Sequence, residues 1–239
     1  MTDNGKNAVI TGASRGLGLA LARGLAAEGW SLVIDARDGQ ALDAAAVSIR
    51  ATAGITVTAL AGDITDPAHR AALLRAAEDL GGPDLLVNNA GTLGASPLPA
   101  LADYPVDELR AAFEVNVLAP VALTQLLLPA LRRRGGAVLS VTSDAAVEPY
   151  AGWGGYGAAK AALEQASNVL SAEENVVRVW WVDPGDLRTR MHQAAFPGED
   201  ISDRPLPGSV VPAFIRLFSE RLPSGRYRAA ELMPSGVTS

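Results

Sequence analysis

The chain has 239 residues, 49% of them apolar, and a formal net charge of -6, which suits one large domain spanning 1–239 with its own core. It has no cysteine and only two histidines, His69 and His192. That excludes disulfides, thiolate zinc sites, iron–sulfur clusters and a cysteine nucleophile, and leaves no ligand set for a metal. No basic run exceeds Arg132-Arg133-Arg134, so nucleic acid is not expected as a partner. The triplet fits a solvated helix end. The opening MTDNGKNAVITGAS lacks the pattern of a signal peptide. The most apolar stretch, Val117 to Leu131, is interrupted by Pro120, Thr124, Gln125 and Pro129, and is expected not to span a bilayer. A cytoplasmic protein with no membrane partner is the expectation.

In chain order, short β-rich runs alternate with longer alanine- and leucine-rich ones. Strands are predicted at Lys6–Thr11, Trp30–Asp35, Ile55–Ala61, Leu85–Asn89, Ala137–Thr142 and Val176–Val182. Helices are predicted over Gly16–Glu28, Gln40–Ala53, Pro67–Leu80, Val106–Leu131 with a break near Pro120, and Gly155–Ala172. Runs such as AVIT, SLVI and LLVN lack alternation, as in a parallel sheet covered on both faces. The strand–helix repetition implies a doubly wound α/β sheet. The Pro-, Gly- and Asp-rich region after the sixth strand is a candidate ligand-covering lid over about 190–222. A last helix near Val210–Leu222 and a short strand near Arg226–Ala230 complete the fold.

Two stretches carry chemistry. In AVITGASRGLGLALARGL, Gly12, Gly16 and Gly18 lie between the first strand and the first helix. Glycines there let the backbone turn tightly and approach a pyrophosphate at the positive end of the helix. Ser14 adds a hydroxyl and Arg15 a cation. In YAGWGGYGAAK, Tyr156 and Lys160 stand four residues apart and share one helix face. An ammonium there is expected to lower the tyrosine pKa toward the working range. Tyr150, in the loop before the helix, cannot share that face. It is a candidate for the substrate wall, with Trp153.

An ordered set of motifs resembles the short-chain dehydrogenase/reductase family. The set is TGASRGLG at 11–18, GD at 62–63, NNAG at 88–91, Asn116 within FEVNVLAP, Ser143, YGAAK at 156–160 and DPG at 183–185. The match runs from about residue 6 to about residue 190. The resemblance implies a Rossmann fold and reversible hydride transfer between a nicotinamide and a carbonyl carbon. In reduction, Tyr156 would give its proton to the carbonyl oxygen, Ser143 would orient that oxygen, Lys160 would assist, and Asn116 would hold a water beside the lysine. Ser140 and Thr142 are nearby alternatives to Ser143. The implied cofactor contacts are Gly12, Ser14, Arg15, Gly16, Leu17, Gly18, Arg37, Asp63, Ile64, Asn89, Ala90, Gly91, Tyr156, Lys160, Pro184, Gly185, Leu187 and Thr189. Asp63 falls where relatives contact the adenine amino group. Met191 and Phe196 lie where the substrate lid is expected, with His192 between them.

The cofactor reads as NADP(H), with NAD(H) the alternative. Arg37 and Arg15 resemble the NADP pattern, whereas Asp35 sits where the general rule expects an acid for the ribose 2′-hydroxyl of NAD. The chain departs from the family at Trp180, where many relatives have asparagine. It departs again in a slightly short Lys160–Pro184 segment, and in ELMPSGVTS, which lacks the common Asp-Gly-Gly ending. A dimer or tetramer is still expected. Two other readings stay open: a non-catalytic NADP(H)-binding sensor, and an isomerase, epimerase or dehydratase on the same scaffold.

Overall fold

The computed structural model describes residues 5–51 and 55–233. The expected helix end at Ala53 and the final PSGVTS lie outside the described residues. Seven parallel strands form one sheet in the order β3-β2-β1-β4-β5-β6-β7. They are β1 (Asn7–Ile10), β2 (Ser31–Ala36), β3 (Val57–Ala61), β4 (Leu85–Asn88), β5 (Ala137–Val141), β6 (Arg178–Asp183) and β7 (Gly225–Arg228). The crossover helices are α1 (Gly16–Ala27), α2 (Gly39–Arg50), α3 (Pro67–Asp79), α4 (Val106–Phe113), α5 (Ala119–Arg134) and α6 (Gly154–Glu173). After β6 come α7 (Arg190–Ala195), α8 (Val211–Ser219) and, behind β7, α9 (Ala229–Leu232). The expected doubly wound sheet is the one observed.

Strand side chains alternate between two cores. Ala8, Ile10, Leu32, Ile34, Leu85, Val87 and Leu139 pack with Leu21, Leu25, Leu42 and Phe214. Val9, Val33, Leu86 and Val138 pack on the other face with Leu73, Leu123, Leu127 and Leu131. Both faces are apolar, so the strands read as unbroken apolar runs.

The predicted break at Pro120 is corrected. One helical run continues from Val106 to Arg134 through a π turn at Glu114–Leu118. Pro120 falls in the first turn of α5, where a missing N–H costs little. The run has 29 residues and is, by length and composition, long and apolar enough to cross a membrane. Its inner side is buried in the second core. At its end Arg134 pairs with Asp84 at 2.8 Å and Arg132 with Glu174. Trp180 is buried, and its indole N–H donates to the carbonyls of Leu222 (3.0 Å) and Pro223 (3.1 Å). The unexpected tryptophan therefore ties β6 to the turn that leads into β7.

Candidate active site

In this strand order the chain reverses direction across the sheet between β1 and β4. The C-terminal ends of those strands are where a doubly wound sheet opens a crevice. A cleft of about 1780 Å³ lies there.

The loop after β1 is held from several sides. Gly12 has φ +67°, and a Cβ on it would sit 2.9 Å from Ala90 Cα. A Cβ on Gly18 would collide with the Gly12 carbonyl and the Asn89 amide. The Asn89 side chain donates to the carbonyls of Thr11 (2.9 Å) and Gly12 (3.2 Å). The amides of Asn89 and Ala90 both donate to the Thr11 hydroxyl at 3.0 Å. Thus Asn89 shapes the glycine loop. The first turn of α1 has neither a side-chain cap nor an acidic residue, so its free N–H groups form an anion site.

Asp35, the acid weighed for the ribose 2′-hydroxyl of NAD, has both carboxylate oxygens engaged within the chain. It is buried, its Oδ1 accepts from the Gly12 amide at 2.7 Å, and its Oδ2 lies 3.1 Å from His69 Nε2. It faces the loop and α3 and ties them together. A Cβ on Gly62 would collide with the His69 ring. Arg37 is exposed at the end of β2 and lines the cleft. Arg15 lines it too, and pairs at 2.8 Å with Asp38, the N-cap of α2. Asp63 accepts from the Thr65 amide (2.9 Å) and hydroxyl (2.8 Å). Those bonds hold its carboxyl below the usual range, the amide's contribution being the larger. Ser14, Gly16, Leu17 and Ile64 also line the cleft.

At the far end of the cleft α6 brings in Tyr156 and Lys160. Lys160 is buried and donates to the Val141 carbonyl at 2.8 Å, with its Nζ 5.6 Å from the Tyr156 ring centre. Burial lowers its pKa to about 8. Tyr156 differs from the expected depression. Burial holds its hydroxyl above the ordinary tyrosine range; the Ser143 hydroxyl lowers it, and Asp183 and Asp144 push it further up. The phenol is thus a held acid. Ser143 begins a 3-10 turn at Asp144–Ala146 and donates to Asp144 Oδ1 at 3.0 Å. The hydroxyls of the two alternatives are engaged elsewhere, although Thr142 also lines the cleft. Thr142 donates to Glu164 at 2.7 Å, and Ser140 accepts from Ser167 at 3.3 Å.

Asn116 is fully buried in the π turn and does not line the cleft. Its side chain donates to the Thr92 carbonyl (2.8 Å) and accepts from the Thr92 amide (3.0 Å), so both amide atoms are spent on the loop after β4. Gly91 fits between Asn116 and Lys160, where a Cβ would lie 2.9 Å from Asn116 Oδ1 and 3.8 Å from Lys160 Nζ.

The segment after β6 closes the cleft. Asp183 accepts from the Gly185 amide at 2.9 Å, with Gly185 at φ +73°. Pro184, Leu187 and Thr189 follow along the wall, and Thr189 caps α7. Trp153 packs against Tyr156 at 5.7 Å and Phe196 at 5.9 Å, while Met191 stands on the rim. Tyr150 donates to Asp144 Oδ2 at 2.9 Å. Apart from Gly18 and Asn116, which act from behind, every residue expected at the site lines this cleft. The sequence reading passed over Asp144, His69 and the Arg226–Glu164 pair behind Ser143, with Arg226 Nε 3.0 Å from Glu164 Oε1. Its one usable signal was Gly62, too small to obstruct a ring behind it.

A glycine-shaped turn under an open helix end, at the switch point of a parallel sheet, defines a nucleotide-binding α/β protein; buried Tyr156 and Lys160 and half-buried Ser143 stand together beside it. The model of the family described as short chain dehydrogenase matches residues 6–200, and the chain belongs to that family. It is 37% identical to sepiapterin reductase of Meriones unguiculatus over 78% of this chain and 76% of that one. It is 34% identical to ketoacyl reductase HetN of Nostoc over 72% of this chain and 59% of that one. Its fold superposes on an alcohol dehydrogenase of the archaeon Thermococcus sibiricus, solved in complex with 5-hydroxy-NADP. The TM-score is 0.84 with 28% identity over 93% of this chain and 95% of that one.

Proposed function

We propose that this oxidoreductase is an NADP(H)-dependent reductase of ketones or aldehydes with Tyr156 as the general acid. The observation that carries this is the corner of buried Tyr156 and Lys160 with half-buried Ser143 at the end of the glycine-turned cleft. The residues fit a dinucleotide: a Cβ on Gly12 or Gly18 would strike Ala90 or Asn89, so glycines keep the turn tight, and the N–H groups of α1 suit a pyrophosphate. When bound, the nicotinamide supplies or accepts the hydride.

The chain's own residues do the rest. Ser143 turns its one hydroxyl proton from Asp144 to the substrate oxygen, and Tyr156 transfers its proton to that oxygen as the hydride arrives at carbon. Raised by burial, the phenol stays protonated throughout the neutral range and is ready to act as the acid. Lys160 lies beside it as the nearby cation, and Asn116 positions the wall of Gly91. Asp63 is placed to accept from an adenine amino group, and Arg37 to pair with a 2′-phosphate. The relative solved with 5-hydroxy-NADP supports that choice, and Asp35, turned into the protein, no longer opposes it. The chain is further proposed to assemble as a homo-oligomer through α5.

Tyr156→Phe is expected to lower NADPH-dependent carbonyl reduction by about 10²–10⁴-fold while NADPH fluorescence still reports binding. Turnover surviving in that variant with cofactor bound would falsify the mechanism. Arg37→Ala is expected to lower the kcat/KM preference for NADPH over NADH by about tenfold, the loss of one charge-assisted bond to phosphate. An unchanged ratio would remove Arg37 from that role.

A further inference from the structure

Asp144 follows Ser143 directly and lines the cleft. Its carboxylate has about four acceptor positions. Three are filled: Oδ1 takes the Ala145 amide at 2.8 Å and the Ser143 hydroxyl at 3.0 Å, and Oδ2 takes the Tyr150 hydroxyl at 2.9 Å. Oδ2 has room for one more donor. Among the described residues Asp144 takes part in no ion pair. The other carboxylates of this end of the cleft do face cations: Asp186 lies 3.9 Å from Arg204, and Asp183 lies 3.9 Å from Arg226. A carboxylate in a cleft with no counter-ion of its own is costly unless a ligand supplies one. A second polar group waits in the same wall. The His192 side chain is only 10% exposed, lines the cleft, and its Nε2 has no hydrogen-bond partner.

We propose that Asp144 selects substrates carrying a protonated amine on the carbon next to the carbonyl. The spacing sets the position of that amine. A carbonyl oxygen that takes the one Ser143 proton at about 2.8 Å frees the Oδ1 position that Ser143 holds at 3.0 Å, and lies no more than two hydrogen-bond lengths from it. A donor one carbon from the carbonyl bridges that gap, whereas a distant one overshoots it. Trp153 and Phe196 leave an apolar wall for the rest of such a molecule. Neutralising Asp144 would also relieve its upward push on Tyr156, easing proton release.

This inference rests on the carbonyl-reductase reading above. It is tested with three ketones of one shape: α-aminoacetophenone, kept at a pH where its amine is protonated, α-hydroxyacetophenone and propiophenone. The wild-type kcat/KM is expected to fall in that order, with at least about tenfold between the first and the last. In Asp144→Asn the ratio is expected to collapse toward one, whatever the absolute rates. A wild-type ratio near one overturns the proposal. So does a variant that loses rate on all three ketones alike, since Asp144 would then only position Ser143. If none of the three is reduced, the carbonyl-reductase reading is what fails. Calorimetric titration of the same ketones into wild type and Asp144→Asn with NADPH then decides on Asp144, equal affinities overturning it.

Discussion

Lys160 shows what a single buried residue costs and contributes. Among the described residues its ammonium has one hydrogen-bond partner, the Val141 carbonyl at 2.8 Å, and burial lowers its pKa from 10.5 to about 8. Below about pH 8 the lysine is charged in the folded and unfolded chains alike, and the whole cost weighs on the fold. Between about 8 and about 10.4, the unfolded value, only the unfolded chain holds the proton, so stability rises with pH across that window. The cost at neutral pH is about 3 kcal/mol, from a fall of about 2.5 pKa units at about 1.4 kcal/mol each. Lys160→Met removes it but leaves the Val141 carbonyl without a donor, worth about 1 kcal/mol. That variant is expected to be inactive and about 2 kcal/mol more stable than wild type at pH 7, with the gap closing by pH 10. Urea unfolding at the two pH values reads it. A gap independent of pH would mean that the buried charge is not its source.

At the scale of elements, the β1–α1 turn is held from below by Asn89 and Asp35 rather than by its own residues. Gly18→Ala is expected to push the Gly12 carbonyl and the Asn89 amide apart. Overpacking of that kind costs about 1–3 kcal/mol, and NADPH affinity, read by fluorescence titration, should fall by at least about tenfold while circular dichroism still reports the fold. Unaltered affinity would show that the loop adapts. The glycines, Tyr156 and Lys160 were legible in the sequence because local spacing sets them, and the doubly wound class was legible because strands and helices alternate. The direction of Asp35 was legible in principle. Strand alternation puts it on the side of Val33, toward α3, and Gly62 leaves room for the His69 ring. The π turn was not legible, because nothing local marks it. There Asn116 turns its amide to Thr92, a residue 24 positions away, a pairing that exists only once the sheet has formed. The net direction of the Tyr156 shift was not legible for a related reason. Spacing shows which groups are neighbours, while burial, a property of the whole fold, here decides the direction.

For the whole molecule the open question is what covers α5. From Val115 to Leu131 the chain has no charged residue. The inner side, Leu123, Leu127 and Leu131, is consumed by the core. The outer side still shows Leu118 at 53% and Leu126 at 38% exposure, with Gln125 and Pro129 beside them. Single exposed leucines are ordinary on a protein surface, but an uncharged strip along several turns of a helix is the mark of an interface. A bilayer would have to take up the run without its inner face, which is already packed against the sheet, so a second copy of the chain is the better occupant. Isologous pairing of α5 with itself would bury both strips at once. Light scattering after size exclusion is expected to give at least a dimer, and Leu126→Glu is expected to shift it toward the monomer, because two carboxylates would then meet across the axis without counter-ions. The variant should keep its circular dichroism, since Leu126 lies outside both cores. A monomeric wild type, or one that floats with liposomes, would assign the strip to something other than a second copy.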